Sequence, residues 1–394
     1  MEKKKILDLF PPLKEHTQYV KENGPELFAP QHYWFYDSLL AAGHEVDFLD
    51  SDENTWLNKL GTRLRFRFLQ QEIDALKVIG KYDLIYAPYI SYVFFLSILK
   101  VLGLIRTPIV VFSHSPLTRQ PTRNVLKKIY RNVLRYIQVK GPDRILLLSK
   151  AILDKSNEHP IQGNFVLIQH FGVHFGFFDA YAKAQSQPPS ADYFFTTGGN
   201  HRDFDTLVEA MRGIDFRLKI TTIDKNLQKH VSVEIPPNVE VDTSLPFNRG
   251  STGYMRKDYY NAFAVLVPLT RDYVGQTETF GVTVVAEGMS MGKPIICTRN
   301  PSFPFDLEQE GVGIYVDYGD VEGWRRAIQY LIDHPDKARE MGERGRELVR
   351  DKFNYTRFSQ EVVNTIHDAM GLKPLDFDLE LPYSYKPNYE YTSS

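Results

Sequence analysis

The sequence predicts an α/β fold built from two doubly wound, Rossmann-like parallel-sheet domains, and three observations carry that expectation. The chain has 394 residues, more than one typical core accommodates, and two domains of roughly 150 to 200 residues each fit that length. Short β-branched apolar runs alternate with longer helical patterns, as parallel strands joined by helices require. A stretch of prolines and small polar residues, Lys183-Ala-Gln-Ser-Gln-Pro-Pro-Ser190, separates two such series.

In the first series the runs are Ile6 to Phe10, Val46 to Leu49, Leu84 to Ala87, Ile109 to Ser113, Ile145 to Ser149 and Val166 to Gln169. The second comprises Tyr193 to Thr197, Leu218 to Thr222, Val239 to Asp242, Ala264 to Pro268, Ile295 to Thr298 and Gly313 to Val316. The expected division is 1–185, 186–355, and a closing helix with its tail at 356–394 that returns to the first domain. Charged helices are expected at 321–333 and 337–352, then a strong helix from Thr356 to Met370 and an irregular Pro- and Tyr-rich extension from Lys373.

Composition narrows the function classes. A formal charge of −2 gives no case for a general nucleic-acid binder. The charge is nonetheless uneven: no acidic residue occurs between Asp83 and Asp143, where nine basic ones do, among them Arg119, Arg123, Lys127, Lys128, Arg131, Arg135 and Lys140. The segment Pro121 to Val139 reads as an amphipathic helix, with Leu126, Ile129, Val133 and Ile137 on one side and Arg123, Lys127, Arg131 and Arg135 on the other. Two readings stay open: the basic region 119–140 makes peripheral contact with an anionic membrane, or it is the solvated outer face of a core-packed helix.

Cys297 is the only cysteine, so intrachain disulfides are excluded and a reducing compartment fits. The N-terminal apolar run before Pro11 is too short for a signal peptide, and the expected location is cytoplasmic, with the inner face of a membrane as an option. The apolar stretch Tyr89 to Ile105, interrupted by Lys100, is read as a buried helix rather than a membrane span.

The most informative motif is Glu278-Thr-Phe-Gly281-Val-Thr283-Val-Val-Ala-Glu287-Gly-Met-Ser-Met-Gly292-Lys-Pro294. Gly281 lets backbone approach a ligand closely, and Val282 to Met291 reads as a helix whose free N–H groups point back at that turn and favour anions. Glu287, inside the helix, and Glu278, before it, offer carboxylates to neutral hydroxyls. Ligands on open α/β sheets sit beyond the carboxyl ends of strands. Two further segments occupy such places. Gly198-Gly199-Asn200-His-Arg202 follows a strand and presents a guanidinium able to clamp a diphosphate. Ser113-His114 follows another and presents an imidazole to a sugar hydroxyl or a developing charge. Asp50-Ser-Asp52 is discounted as a metal site, because lone acid pairs are common on surfaces.

At these residues the chain resembles glycosyltransferase family 4, retaining enzymes with the two-domain GT-B fold, over about Leu39 to Met370. Gly43-His-Glu-Val46, Ser113-His114, Gly172-Val-His-Phe-Gly-Phe-Phe178, Gly198 to Leu207 and Glu278 to Pro294 agree with its segments in order. The resemblance implies that a sugar moves from a nucleoside-diphosphate sugar to an acceptor hydroxyl on a glycan, glycolipid or small molecule, without metal or other cofactor. It further implies that Glu287 bonds the ribose, Glu278 the transferred sugar, and backbone N–H groups of Phe280, Gly281, Val282 and Thr283 the phosphates. Gly198, Gly199, Asn200 and Arg202 complete the donor side, with Arg202 on the diphosphate, and His114 faces the acceptor.

Three departures stand out. Thr197 occupies the place of a second basic residue, eight residues rather than seven separate the paired glutamates, and Pro11-Pro12 replaces a glycine-rich loop after the first strand. The alternatives are therefore a catalytically impaired sugar-nucleotide-binding module, or an epimerase or phosphorylase-like enzyme on the same architecture.

Overall fold

The computed structural model describes residues 2–24, 27–49, 55–64, 66, 68–118, 123–199, 201–222, 231–244, 251–270 and 279–375. Twelve strands form two six-stranded parallel sheets. The first holds β1 (Lys5–Asp8), β2 (Glu45–Phe48), β3 (Leu84–Ala87), β4 (Ile109–Ser113), β5 (Arg144–Leu147) and β6 (Phe165–Leu167), in the order β2-β1-β3-β4-β5-β6. The second holds β7 (Tyr193–Thr197), β8 (Arg217–Thr221), β9 (Val239–Asp242), β10 (Ala264–Val267), β11 (Ile295–Thr298) and β12 (Gly313–Val316), in the order β12-β11-β10-β7-β8-β9. Each of the twelve β-branched runs thus became a strand. The strand order reverses between β1 and β3 and again between β7 and β10, which places a crevice at the carboxyl end of each pair.

The residues of the central strands β3, β4, β10 and β11 alternate between two buried layers, which is why those runs are almost entirely apolar instead of alternating with polar residues. Phe194, Leu266 and Ile296 face a core closed by Trp324, Ile328 and Leu331. Phe195, Val265, Val267 and Cys297 face the opposite way, toward Tyr259, Val285 and Met289. The helix Val282–Ser290 lies in that second layer, buried at every position except Thr283. A Cβ on Gly288 would come within 2.9 Å of Ile295 Cδ1 and 3.0 Å of Val265 Cγ2, so the helix is seated tightly on β10 and β11.

The chain passes between the sheets twice, and the two passages are laced together. Val173 forms a parallel bridge with Asn354, and the Tyr355 N–H donates to Val173 O at 3.0 Å. Gly172 runs so close that a Cβ there would lie 2.1 Å from Phe353 O. The closing helix Tyr355–Ala369 then docks on the first sheet. Tyr355 donates to Asp37 Oδ1 at 2.9 Å, Ser38 to Ser359 Oγ at 2.9 Å, and the Arg144 guanidinium meets Asp368 at 2.7 Å. At the same contact His44 Nε2 and His367 Nε2 stand 2.7 Å apart, both rings buried.

Two expectations about apolar segments meet different outcomes. Tyr89 to Ile105 contains the helix Phe94–Val101, with Phe94 and Leu96 buried and the Lys100 ammonium held by Arg106 O, Thr107 O and Asp143, each at 2.9 Å. Among the described residues no helix is long and apolar enough to cross a membrane. The amphipathic segment does form a helix packed on the body, Val125–Lys140, but through a different face from the one its hydrophobic period marked. Leu126, Ile129 and Val133 are exposed, whereas Leu134, Arg135 and Val139 face the body. The Arg135 guanidinium makes that inward turn possible by donating to Ser156 O at 3.0 Å and Ile161 O at 3.1 Å. The Asp50-Ser-Asp52 pair lies outside the described residues.

Candidate functional site at the second switch point

Two turns meet where the order of the second sheet reverses. After β7 the chain reaches Gly198 at φ +118°, a left-handed conformation glycine tolerates, and the Arg202 guanidinium folds back over it. A Cβ on Gly198 would lie 2.5 Å from Arg202 Nη2, and Arg202 Nε donates to Thr197 O at 2.9 Å. Arg202 also bridges Leu269, the second residue beyond β10, so the two switch-point strands are joined at their carboxyl ends. Its side chain is buried, and desolvation lowers its pKa from the ordinary value. Asp203, next in line, caps the following helix Phe204–Met211 by accepting from the Thr206 N–H at 3.1 Å.

The other turn carries Phe280 and Gly281. Gly281 has φ +87° and opens the helix Val282–Ser290 with no side-chain cap among the described residues, and the Val282 N–H donates to Thr279 O at 3.3 Å. A Cβ there would fall 2.9 Å from Val267 Cγ1, which fixes glycine at this position a second time. His201 and Phe280 stack across the gap, ring centroids 4.2 Å apart, and hold the β7 turn against the helix start. Asn300, beyond β11, donates to Phe280 O at 3.4 Å.

Glu287 lies about one and a half turns into that helix and is buried. Tyr259, from the helix Ser251–Asn261, donates to Oε2 at 2.8 Å, and Gln31 Nε2, from the first half of the chain, approaches Oε1 at 3.4 Å. Burial raises the carboxyl pKa to about 7, against the lowering effect of the Tyr259 and Gln31 hydrogen bonds. The Tyr259 hydroxyl is driven well above its usual range, first by burial and then by the neighbouring carboxylate.

Gln31 sits in a short 3-10 helix, Pro30–Tyr33, that reaches across to the second sheet's side of the cleft. Its Oε1 accepts from the His174 N–H at 3.2 Å, His32 Nε2 lies 3.0 Å from Thr252 Oγ1, and a Cβ on Gly253 would stand 2.3 Å from Leu27 Cα. Trp34, just past this helix, touches His114 edge-on with centroids 5.0 Å apart. His114 Nε2 lies 3.0 Å from Pro88 O, and Tyr89 packs on the imidazole at 4.5 Å. Glu287 and His114 therefore contact the two ends of one four-residue segment.

The structure sets Gly198, Gly199 and Arg202 on one turn and Phe280, Gly281, Val282 and Thr283 on the other, joined by the His201–Phe280 contact, with Glu287 in the following helix and His114 linked to it through residues 31–34. Asn200 and Glu278 lie outside the described residues. Tyr259 and Gln31 were missed. No periodicity marks a tyrosine 28 residues from its partner or a glutamine 256 residues away. His174 had a weak signal: it stands where the resembling segment has an aspartate, and its Nδ1 caps the helix Phe175–Lys183 by accepting from the Phe177 N–H at 3.1 Å.

With fold and crevice in place, the chain has the GT-B architecture: two facing doubly wound sheets with a crevice at the switch point of the second. Residues 251–348 match the family model for glycosyl transferases group 1. Among curated relatives, the alpha-1,3/1,6-mannosyltransferase ALG2 of Dictyostelium discoideum is 34% identical over 94 residues, 24% of this chain and 22% of that protein. The N-acetyl-alpha-D-glucosaminyl L-malate synthase of Bacillus anthracis is 32% identical over 98 residues, 25% of each. The matches thus span about a fifth to a quarter of those relatives' length.

Solved structures extend the likeness to nearly the whole chain. Sucrose-phosphate synthase from Thermosynechococcus elongatus superposes with a TM-score of 0.69 at 18% identity, over 94% of this chain and 100% of that one. Anabaena Alr3699/HepE in complex with UDP-glucose gives 0.60 at 14% identity, over 93% and 100%. At such identities the likeness establishes the fold alone.

Proposed function

We propose that the chain is a retaining glycosyltransferase that moves a sugar from a nucleoside-diphosphate sugar to an acceptor hydroxyl. The observation that carries this reading is the buried Glu287 carboxylate, held by Tyr259 and Gln31 inside a helix that starts at the second switch point, where the Arg202 guanidinium is also buried. A buried acid is costly unless something uses it. Here it would accept the ribose hydroxyls of the donor, displacing the long Gln31 contact while Tyr259 keeps its orientation.

The diphosphate would lie on the N–H groups of Gly281, Val282 and Thr283, and Arg202 would neutralise the charge that grows on the departing phosphate. That phosphate takes up the acceptor's proton as the hydroxyl attacks the same face of the sugar, so one C–O bond forms as another breaks. Glu278 is assigned to the transferred sugar. His114, held by Pro88 O and Trp34, would face the anomeric centre from the first sheet. Domain bounds at 185 and 355 follow the same reading, with the acceptor on the first side and the donor on the second.

UDP and UDP-glucose, bound in the Anabaena structures, are the first probes to try. Arg202→Ala should lower turnover by about 10²-fold or more, the scale for losing one preorganised donor to a charged transition state. Steady-state kinetics with purified donor decides it; unchanged turnover removes Arg202 from the mechanism. Donor binding with neither transfer nor hydrolysis would instead favour a binding module that no longer catalyses.

A further inference from the structure

The helix Val125–Lys140 turns its hydrophobic side away from the protein, and we propose that this side docks the molecule on an anionic lipid bilayer. Leu126 is 78% exposed, Val125 68%, Ile129 56%, Val133 52%, Tyr130 49% and Tyr136 46%. The residues at 126, 129, 130, 133 and 136 recur at helical spacing, so they form one continuous stripe rather than scattered apolar positions. A core-packed helix would have buried this stripe. Here the body takes the other face, through Leu134, Arg135 and Val139, and the hydrogen bonds of Arg135 hold it there.

Charge selects the occupant. Arg123, Lys127 and Lys128 are exposed on and just before the first turn, in a region of sequence without a single acidic residue between Asp83 and Asp143. A hydrophobic stripe on a helix that carries cations and no acidic residue suits acyl chains beneath anionic headgroups, whereas a second copy of the same surface would bring like charges together.

Topology gives the dock a direction. The crossover from β4 to the parallel β5 runs from the carboxyl edge of the first sheet to its amino edge, so the helix begins on the edge that carries His114. A bilayer at that end would lie beside the cleft. The surface itself is independent of the transfer reaction, and its test needs no turnover.

Co-sedimentation of the full chain with vesicles of phosphatidylcholine, alone or mixed with phosphatidylglycerol, reads it directly. The expected partition is at least about tenfold higher on the mixed vesicles and falls as salt is added. Ile129→Ser with Val133→Ser should lower it by about tenfold or more, and Lys127→Glu with Lys128→Glu should abolish the preference for anionic lipid. All four positions are exposed, and an unchanged melting temperature would show that the fold is intact. Equal partition on both vesicles, or insensitivity to both double substitutions, overturns the proposal. So does lipid-free sedimentation showing a self-association that the serine pair dissolves, since the stripe would then be a protein interface.

Discussion

At the scale of single residues, Glu287 has a cost and a use that can be separated. Its carboxyl has a native pKa near 7, raised by burial above the ordinary value, so it adds stability below about pH 4.5 and loses that contribution as pH rises through 7. Glu287→Gln should therefore stabilise the protein at pH 8, by at most about 3 kcal/mol, while weakening nucleoside-diphosphate binding by roughly 10- to 100-fold. Denaturant midpoints and calorimetry measure the two effects, and a variant both less stable and equally avid would contradict the assignment. Hydroxyl donors from the ribose favour the ionised carboxylate, so affinity in the wild type should rise between pH 6 and 8 more steeply than in the glutamine variant. That comparison cancels the titration of the nucleotide's own phosphate.

At the scale of elements, close backbone approach decides more than propensity. A Cβ on Gly342, within the helix Pro335–Asp351, would lie 2.0 Å from Gly292 O in the turn that feeds β11. Alanine is worth about 1 kcal/mol over glycine in a free helix, but the overpacking here costs roughly 1–3 kcal/mol, so Gly342→Ala should lower stability. A raised urea midpoint would refute this. Such contacts explain how far the sequence could be read. The strands were legible because runs such as Ile109-Val-Val-Phe and Ile295-Ile-Cys-Thr are buried on both faces and nothing polar interrupts them. The helix Leu13–Asn23 was not, because Pro11-Pro12 looked like a loop, although proline fits the entry to a helix. For Val125–Lys140 the hydrophobic period was legible but not its direction, since a periodic stripe does not say whether protein or solvent covers it. The Gly281 turn was readable from its own residues, whereas the partners of Glu287 come from other elements and left no local trace.

At the scale of the whole molecule, the two halves are held by the laced crossings and by the closing helix's return to the first sheet. The contact between His44 and His367 makes that return sensitive to acid. Burial, and then the charge on His367, lower the His44 pKa to about 4. The unfolded chain takes up this proton near pH 6.5 and the folded one only near 4, so stability falls as pH drops across that interval. Asp37, raised to about 6 by burial in the same contact, works in the opposite sense, losing stability as pH rises through 6. Comparing wild type with His44→Gln cancels the aspartate. Between pH 7 and 5 the wild type should lose on the order of 2 kcal/mol more than the variant, and equal losses in denaturant titrations would contradict the lowered His44 pKa.

Everything proposed for the reaction depends on where the donor's nucleotide rests, and a structure of the complex with UDP, or with whichever nucleoside diphosphate binds best, answers that most directly. The expected result is a diphosphate on the backbone N–H groups of Gly281 to Thr283 with Arg202 beside it, ribose hydroxyls on Glu287, and Gln31 moved off that carboxylate. A nucleotide bound elsewhere on the chain, with Glu287 still closed between Tyr259 and Gln31, would contradict it.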